Sequence, residues 1–278
     1  MVVASLAFAT SSPLARAAVG LSPIAVAAGR TFVASAIILA MMPRRTLDAF
    51  RALQPRQRLG LATAGLLLAV HFALFLEGLA TTSFPAAVAL ISLEPLAVIL
   101  AGWMAFAIRP TVAEAAGVVI ATFGALVVSS GAGQGEHRVL GDALVVLAVV
   151  FYGAYVSMAR GLRRAMPALP YAAWVYGIAS ASLAPFAAVL SLHVPPPPVS
   201  TWVAVVLLGI VPTLVGHTLV QLASRRASPV VVALVSPGET LGSLVIGALL
   251  LHAWPTTTES IGAALVLAGA SVAIVRSG

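Results

Sequence analysis

The sequence predicts an all-α integral membrane protein with ten transmembrane helices, built as two inverted five-helix repeats around a central cavity. Three observations predict it. Hydrophobic residues make up 61% of the chain and charged residues 8%, with a mean hydropathy of +1.09. A soluble domain carries roughly 25% charged residues. Apolar stretches long enough for a helix to cross the hydrocarbon core, about 20 residues each, recur along the whole length. Finally, residues 83–127 align without a gap against 228–272 at a constant shift of 145. Under that shift Ser83 meets Ser228, Glu94 meets Glu239, Gly102 meets Gly247, Glu114 meets Glu259, and Gly124-Ala125 meets Gly269-Ala270. Alternating ten-residue strands, the mark of a transmembrane barrel, do not occur.

In order, the spans fall near 2–18, 23–42, 59–80, 84–107, 112–131, 140–159, 170–192, 201–223, 228–251 and 258–276. Residues 1–18 read as a first span and not a cleaved leader, since no basic stretch or small-residue cleavage site precedes the apolar run. Turn chemistry separates the spans. Leu21-Ser22-Pro23 and Thr81-Thr82-Ser83-Phe84-Pro85 are tight turns, 131–138 is a Gly-rich polar loop, and Pro195 to Pro198 holds the chain extended. Leu47, Phe50 and Leu53 recur among arginines between spans two and three, so a short interfacial helix is one reading of 44–58 and a plain basic loop the other.

The loops after even-numbered spans hold Arg44, Arg45, Arg51, Arg56, Arg58, Arg109, Arg160, Arg163, Arg164, Arg225 and Arg226, and Arg276 follows the last span. The opposite loops hold Arg138. The positive-inside rule then places both termini in the cytoplasm. Each half, residues 1–134 and 138–278, carries five spans. An odd number makes the second half enter the membrane upside down, the inverted-repeat plan of many secondary transporters.

Several function classes are excluded. All fifteen basic residues are arginines, most of them clustered between spans, so the pI near 11.2 reports membrane orientation and not nucleic-acid binding. There is no cysteine, and no His/carboxylate pair at metal-ligand spacing lies on the spans, so no metal or other cofactor is expected. No G-x-S-x-G or H-E-x-x-H motif points to an intramembrane enzyme.

Ionisable groups inside a membrane are costly and mark function. Glu94 and Glu239 lie about ten residues into spans four and nine, roughly 15–17 Å deep and so near the midplane. Each adjoins a helix breaker, as Glu94-Pro95 and Pro237-Gly238-Glu239. Interrupted helices at matching positions of two repeats point to a substrate site. These carboxylates therefore read as cavity groups for a proton or a substrate ammonium, against a structural reading as hydrogen-bonded acids between the two spans. His71 and His217 fall one residue out of step in the same alignment. They are either relay groups or histidines bonded to neighbouring carbonyls. Arg30 and Glu77 lie at similar depths and form a candidate structural ion pair.

Aromatic residues gather where a cavity would lie, namely Phe72, Phe75, Trp103, Phe151, Tyr152, Tyr155, Trp174 and Tyr176, with Tyr152 and Tyr155 sharing a helix face. Such a wall suits an amphiphilic solute or an organic cation. His137, His193 and His252 read as ordinary loop groups. Gly117, Gly124, Gly262 and Gly269 read as helix-packing positions.

At this point the chain resembles the drug/metabolite transporter superfamily, EamA-type group, over essentially its whole length. The resemblance is carried by the doubled five-span unit, Gly29-Arg30-Thr31-Phe32, Leu90-Ile91-Ser92-Leu93-Glu94-Pro95, and the Gly117–Gly124 and Ile261–Gly269 stretches. The chain departs from the family pattern at Ile108-Arg109-Pro110, Ala253-Trp254-Pro255 and Pro237-Gly238-Glu239. The resemblance implies export of small solutes from a bacterial cytoplasm across the inner membrane, with aromatic and other hydrophobic amino acids foremost. A proton-coupled organic-cation exporter is the alternative, and a channel or membrane scaffold is a different class. The expected partners are a small-molecule substrate and the bilayer, with a monomer as the working unit.

Overall fold

The computed structural model describes residues 2–106, 111–131, 136–162, 164–192, 194–224 and 235–275, and all regular structure among them is helical. The helices are α1 (Val2–Ala9), α2 (Ser11–Ala17), α3 (Pro23–Met41), α4 (Pro43–Arg51), α5 (Pro55–Thr81), α6 (Phe84–Ile91) and α7 (Glu94–Phe106). They continue as α8 (Val112–Ser130), α9 (Val139–Leu162), α10 (Ala168–Ser191) and α11 (Val199–Leu208). A π-helix (Gly209–His217) follows, then α12 (Thr218–Ser224), α13 (Val235–Leu251) and α14 (Thr257–Val275).

Among the described residues, seven helical runs are long and apolar enough to cross a bilayer. They are Pro23–Met41, Pro55–Thr81, Phe84–Ala101, Val112–Ser130, Val139–Met158, Ala168–Ser191 and Val199–Leu222, while Gly238–Leu251 and Thr257–Val272 are apolar but shorter. The stretch expected as the first span is divided at Thr10 into α1 and α2, where the Thr10 hydroxyl donates to the Ala7 carbonyl at 2.7 Å. The 228–234 part of the expected ninth span lies outside the described residues.

Local chemistry accounts for the helix starts. Ser22 caps α3 by accepting from the Ala25 amide at 3.2 Å, with Pro23 at the first helical position, where its missing N–H costs nothing. Ser83 caps α6 in the same way. The repeat-related pairs Thr111/Glu114 and Thr256/Glu259 both close capping boxes, at the starts of α8 and α14. The basic 44–58 segment forms a short helix, α4, over its first part. Phe50 stacks on Trp174 at 4.3 Å, and the Trp174 indole donates to the Thr46 carbonyl at 3.0 Å, so α4 is docked on α10.

Exposure is inverted relative to a soluble protein. Val112 (88%) and Met104 (85%) face outward, whereas Arg30 and Tyr176 are fully buried. Apolar side chains thus meet the lipid and polar ones meet each other. Small residues allow the close helix contacts. A Cβ on Gly124 would lie 2.6 Å from the Val266 amide nitrogen, and one on Gly269 would lie 2.5 Å from that of Ala121. The glycine patterns in α8 and α14 therefore set how closely these two helices approach.

Candidate functional site

The centre of the bundle holds a buried group of ionisable and aromatic side chains drawn from α3, α5, α7, α9, α10, the π-helix and α13. The run Phe84–Ala101 is interrupted at Ser92-Leu93, which places Glu94 and Pro95 at the start of α7. A proline there gives up only an amide that would have had no helical partner, and the helix dipole favours the carboxylate. Glu239 sits near the start of α13. Here the structure corrects the expected break at Pro237-Gly238: the helix passes through both, because Pro237 lies in the first turn of α13, where its missing N–H is tolerated. The Pro237 side chain lies outside the described residues. Gly238 faces Ser5, where a Cβ would meet the Ser5 side chain at 2.9 Å. A buried hydrogen bond between the Ser92 and Thr240 hydroxyls ties the two carboxylate-bearing turns together, and the charges of Glu94 and Glu239 act on one another.

His71 and His217 both join this group. The Nδ1 of His71 lies 2.9 Å from the Ala148 carbonyl, so it carries the proton and donates. Its Nε2 therefore faces Glu94, at 3.7 Å. That separation is longer than a hydrogen bond and short enough for a proton or a small polar group to bridge. The Tyr152 ring lies 5.2 Å from His71 and 6.3 Å from His217, and Phe75 stacks on His71 at 6.3 Å. Phe72 meets His217 edge-on at 5.3 Å, as Phe8 does from α1 at 4.7 Å. Tyr155 packs beside Tyr152 and accepts from the Gln221 side-chain amide.

Two expectations are corrected. Arg30 makes no ion pair with Glu77, because Glu77 faces outward on α5 while Arg30 points into the bundle at 1% exposure. Arg30 instead donates from Nε to the Thr213 hydroxyl at 2.9 Å, and its guanidinium lies 4.3 Å above the Phe72 ring. Charge couples it to Glu239. Trp103 is 47% exposed on α7 and takes no part in these ring contacts, because its position on the helix turns it outward.

The sequence reading missed Thr213, which Tyr176, one of the expected cavity aromatics, joins. Thr213 lies in the π-helix, and its hydroxyl donates to the Leu208 carbonyl at 2.7 Å. The Tyr176 hydroxyl donates to the Thr213 carbonyl at 3.2 Å. The signal was Pro212 between Gly209 and Gly216, just before His217. A proline inside a helix frees a carbonyl, and π-turns gather at functional sites.

A second polar group lies at one end of the bundle, and in it His137, although in the loop before α9, is buried and not an ordinary loop group. His137 is 2% exposed. Its Nε2 is 2.9 Å from Asp142, and its Nδ1 is 3.5 Å from Glu259. Asp142 also accepts from the Thr82 hydroxyl at 2.8 Å, Glu259 accepts from Ser83, and Arg16 donates to the Thr82 carbonyl at 2.6 Å. The capping acid of α14 is therefore tied across to the start of α6. Its repeat counterpart Glu114 bonds to Thr111, in its own turn of the chain. His252 ends α13 in a left-handed conformation (φ 52), and His193 lies outside the described residues. No group of three or more metal-ligating side chains occurs among the described residues.

The sequence profile of the EamA-like transporter family matches residues 1–130 and 139–275. A crystal structure of a protein aligns with a TM-score of 0.70 over 98% of this chain and 93% of that one, at 22% identity, a likeness of fold. No curated protein sequence matches significantly. With its family profile spanning nearly the whole length, its apolar helices and its buried polar centre, the chain belongs to the EamA-like transporter family of the drug/metabolite type.

Proposed function

We propose that this transporter exports neutral hydrophobic or aromatic amino acids, and related metabolites, across the bacterial inner membrane by alternating access. In this reading ten spans form two inverted repeats, 1–134 and 138–278, with both termini cytoplasmic, and a monomer is the working unit. The observation that carries it is the meeting of Glu94, Glu239, His71 and His217 with a wall of aromatic rings at an interrupted helix. The two carboxylates come from corresponding positions of the repeats, which is where a transporter of this plan binds its solute. The gapless correspondence of residues 83–127 with 228–272 and the family match to both halves support the repeat. The distribution of arginines supports the orientation. In this account the rings hold the apolar part of the solute, a glutamate takes its ammonium, and the Glu94–His71 pair exchanges a proton.

One observation favours a second reading. Two partly buried glutamates against one buried arginine leave room for a cationic solute, so a proton-coupled organic-cation exporter uses the same groups. Flux of labelled phenylalanine, methionine or threonine into proteoliposomes, with and without a pH gradient, separates the two. Saturable amino-acid flux is the expected result. Absence of amino-acid flux, together with gradient-driven flux of an aromatic amine, contradicts amino-acid export and favours the second reading. Conductance that never saturates contradicts both.

A further inference from the structure

We propose that Arg30 is a carboxylate anchor: the two terminal nitrogens of its guanidinium bind one carboxylate of the transported solute, with the ring of Phe72 as the floor of the site. This rests on reading the central group as the solute site.

Three observations carry it. Arg30 is 1% exposed, and its Nη1 and Nη2 are both buried without a hydrogen-bond partner among the described residues. A guanidinium has five N–H donors, so with Nε occupied four remain, and a buried charged donor left unmet is among the costliest features a protein can keep. Second, the fork is held in place. Nε is fixed on the Thr213 hydroxyl, which in turn donates to the Leu208 carbonyl, so its lone pair is directed at Arg30. Tyr176 holds the Thr213 carbonyl, and Phe72 supports the guanidinium face. Close packing sets this geometry, since a Cβ on Gly209 of the π-helix would meet the Arg30 carbonyl at 3.0 Å. Third, the surroundings select the anion. A planar fork fits a carboxylate or a phosphate through two parallel bonds. The charge of Glu239 already acts on Arg30 and on Glu94. A doubly charged phosphate would face two carboxylates with one arginine to balance it. A single carboxylate paired with an ammonium for the glutamates balances the site, which describes a zwitterion. Glu239 itself makes no ion pair with Arg30 among the described residues, so the fork is not already filled by it.

The test uses the full-length protein purified in detergent, with 3-phenylpropionate and its amide as probes of equal shape. The expected result is a saturable rise in melting temperature with the acid and none with the amide. Arg30→Lys keeps a charge and loses the fork, and should weaken acid binding at least tenfold. Arg30→Gln should abolish it. Equal stabilisation by acid and amide overturns the proposal, as does acid binding that survives in Arg30→Gln. If Arg30→Gln does not fold, the acid–amide comparison and Arg30→Lys decide the matter. Failure of this inference is distinguishable from failure of amino-acid export. Acid binding without flux of any amino acid keeps the anchor and overturns the export reading. Flux of phenylalanine amide equal to that of phenylalanine overturns the anchor and keeps export.

Discussion

Glu239→Gln is expected to lower solute flux in proteoliposomes roughly thirtyfold at low solute concentration, while the melting temperature stays level or rises. The magnitude follows from removing one partner of a buried charged contact, about 2 kcal/mol or more, at tenfold per 1.4 kcal/mol. The stability direction follows from desolvation. A buried carboxylate is held at a cost, and a neutral amide of the same shape removes part of that cost. Loss of flux with stability retained identifies a group kept for transport. Glu94→Gln should behave alike, with a larger loss of gradient stimulation, because Glu94 and not Glu239 faces His71. A double variant with full flux contradicts the role of both residues. Parallel loss of flux and folding would make them structural acids.

The largest expected effect on stability belongs to the other polar group. Asp142→Ala strands the Thr82 hydroxyl and the His137 imidazole, each bonded to one of its oxygens at 2% exposure. It also removes an acid from the first turn of α9. A loss of about 3 kcal/mol is expected, since breaking a buried charged contact from one side leaves the other side uncompensated. The measurement is thermal unfolding in detergent, where the variant should melt several degrees below the parent. A melting temperature within one degree of the parent contradicts the assignment. Asp142→Asn keeps one acceptor oxygen and should fall between the two.

Much of the fold was readable residue by residue. Ser22-Pro23 and Ser83 announced helix starts, and Glu94-Pro95 marked an interruption, because caps and proline act through the backbone of their own turn. The matching positions of Glu94 and Glu239 in the repeat, and the near-matching ones of His71 and His217, were readable as well, and the structure brings these residues into one group. Direction around the helix was not. Arg30 and Glu77 were expected at a similar depth, yet Arg30 is buried and Glu77 exposed, and Trp103 shares a helix with Glu94 yet is half exposed. In a span that is apolar all round, hydrophobic periodicity carries little signal about facing. Thr213 was hidden because a π-helix shifts the phase of every residue after it. His137 was hidden because its burial depends on three chain segments meeting, at Thr82, Asp142 and Glu259, distant in sequence. The straight passage of α13 through Pro237 shows the same limit from another side. A proline breaks a helix only beyond its first turn, and where α13 begins was not legible.

The central claim is that the buried group is reached from each side of the membrane in turn. The chain contains no cysteine, so a single Phe75→Cys provides a unique thiol beside His71. Its labelling by a membrane-impermeant reagent, from each side of oriented vesicles and with or without solute, is the most direct measurement. The account predicts labelling from both sides, with solute slowing the reaction and changing the ratio between sides. Labelling from neither side in vesicles that transport, or from both sides at rates indifferent to solute, would contradict it.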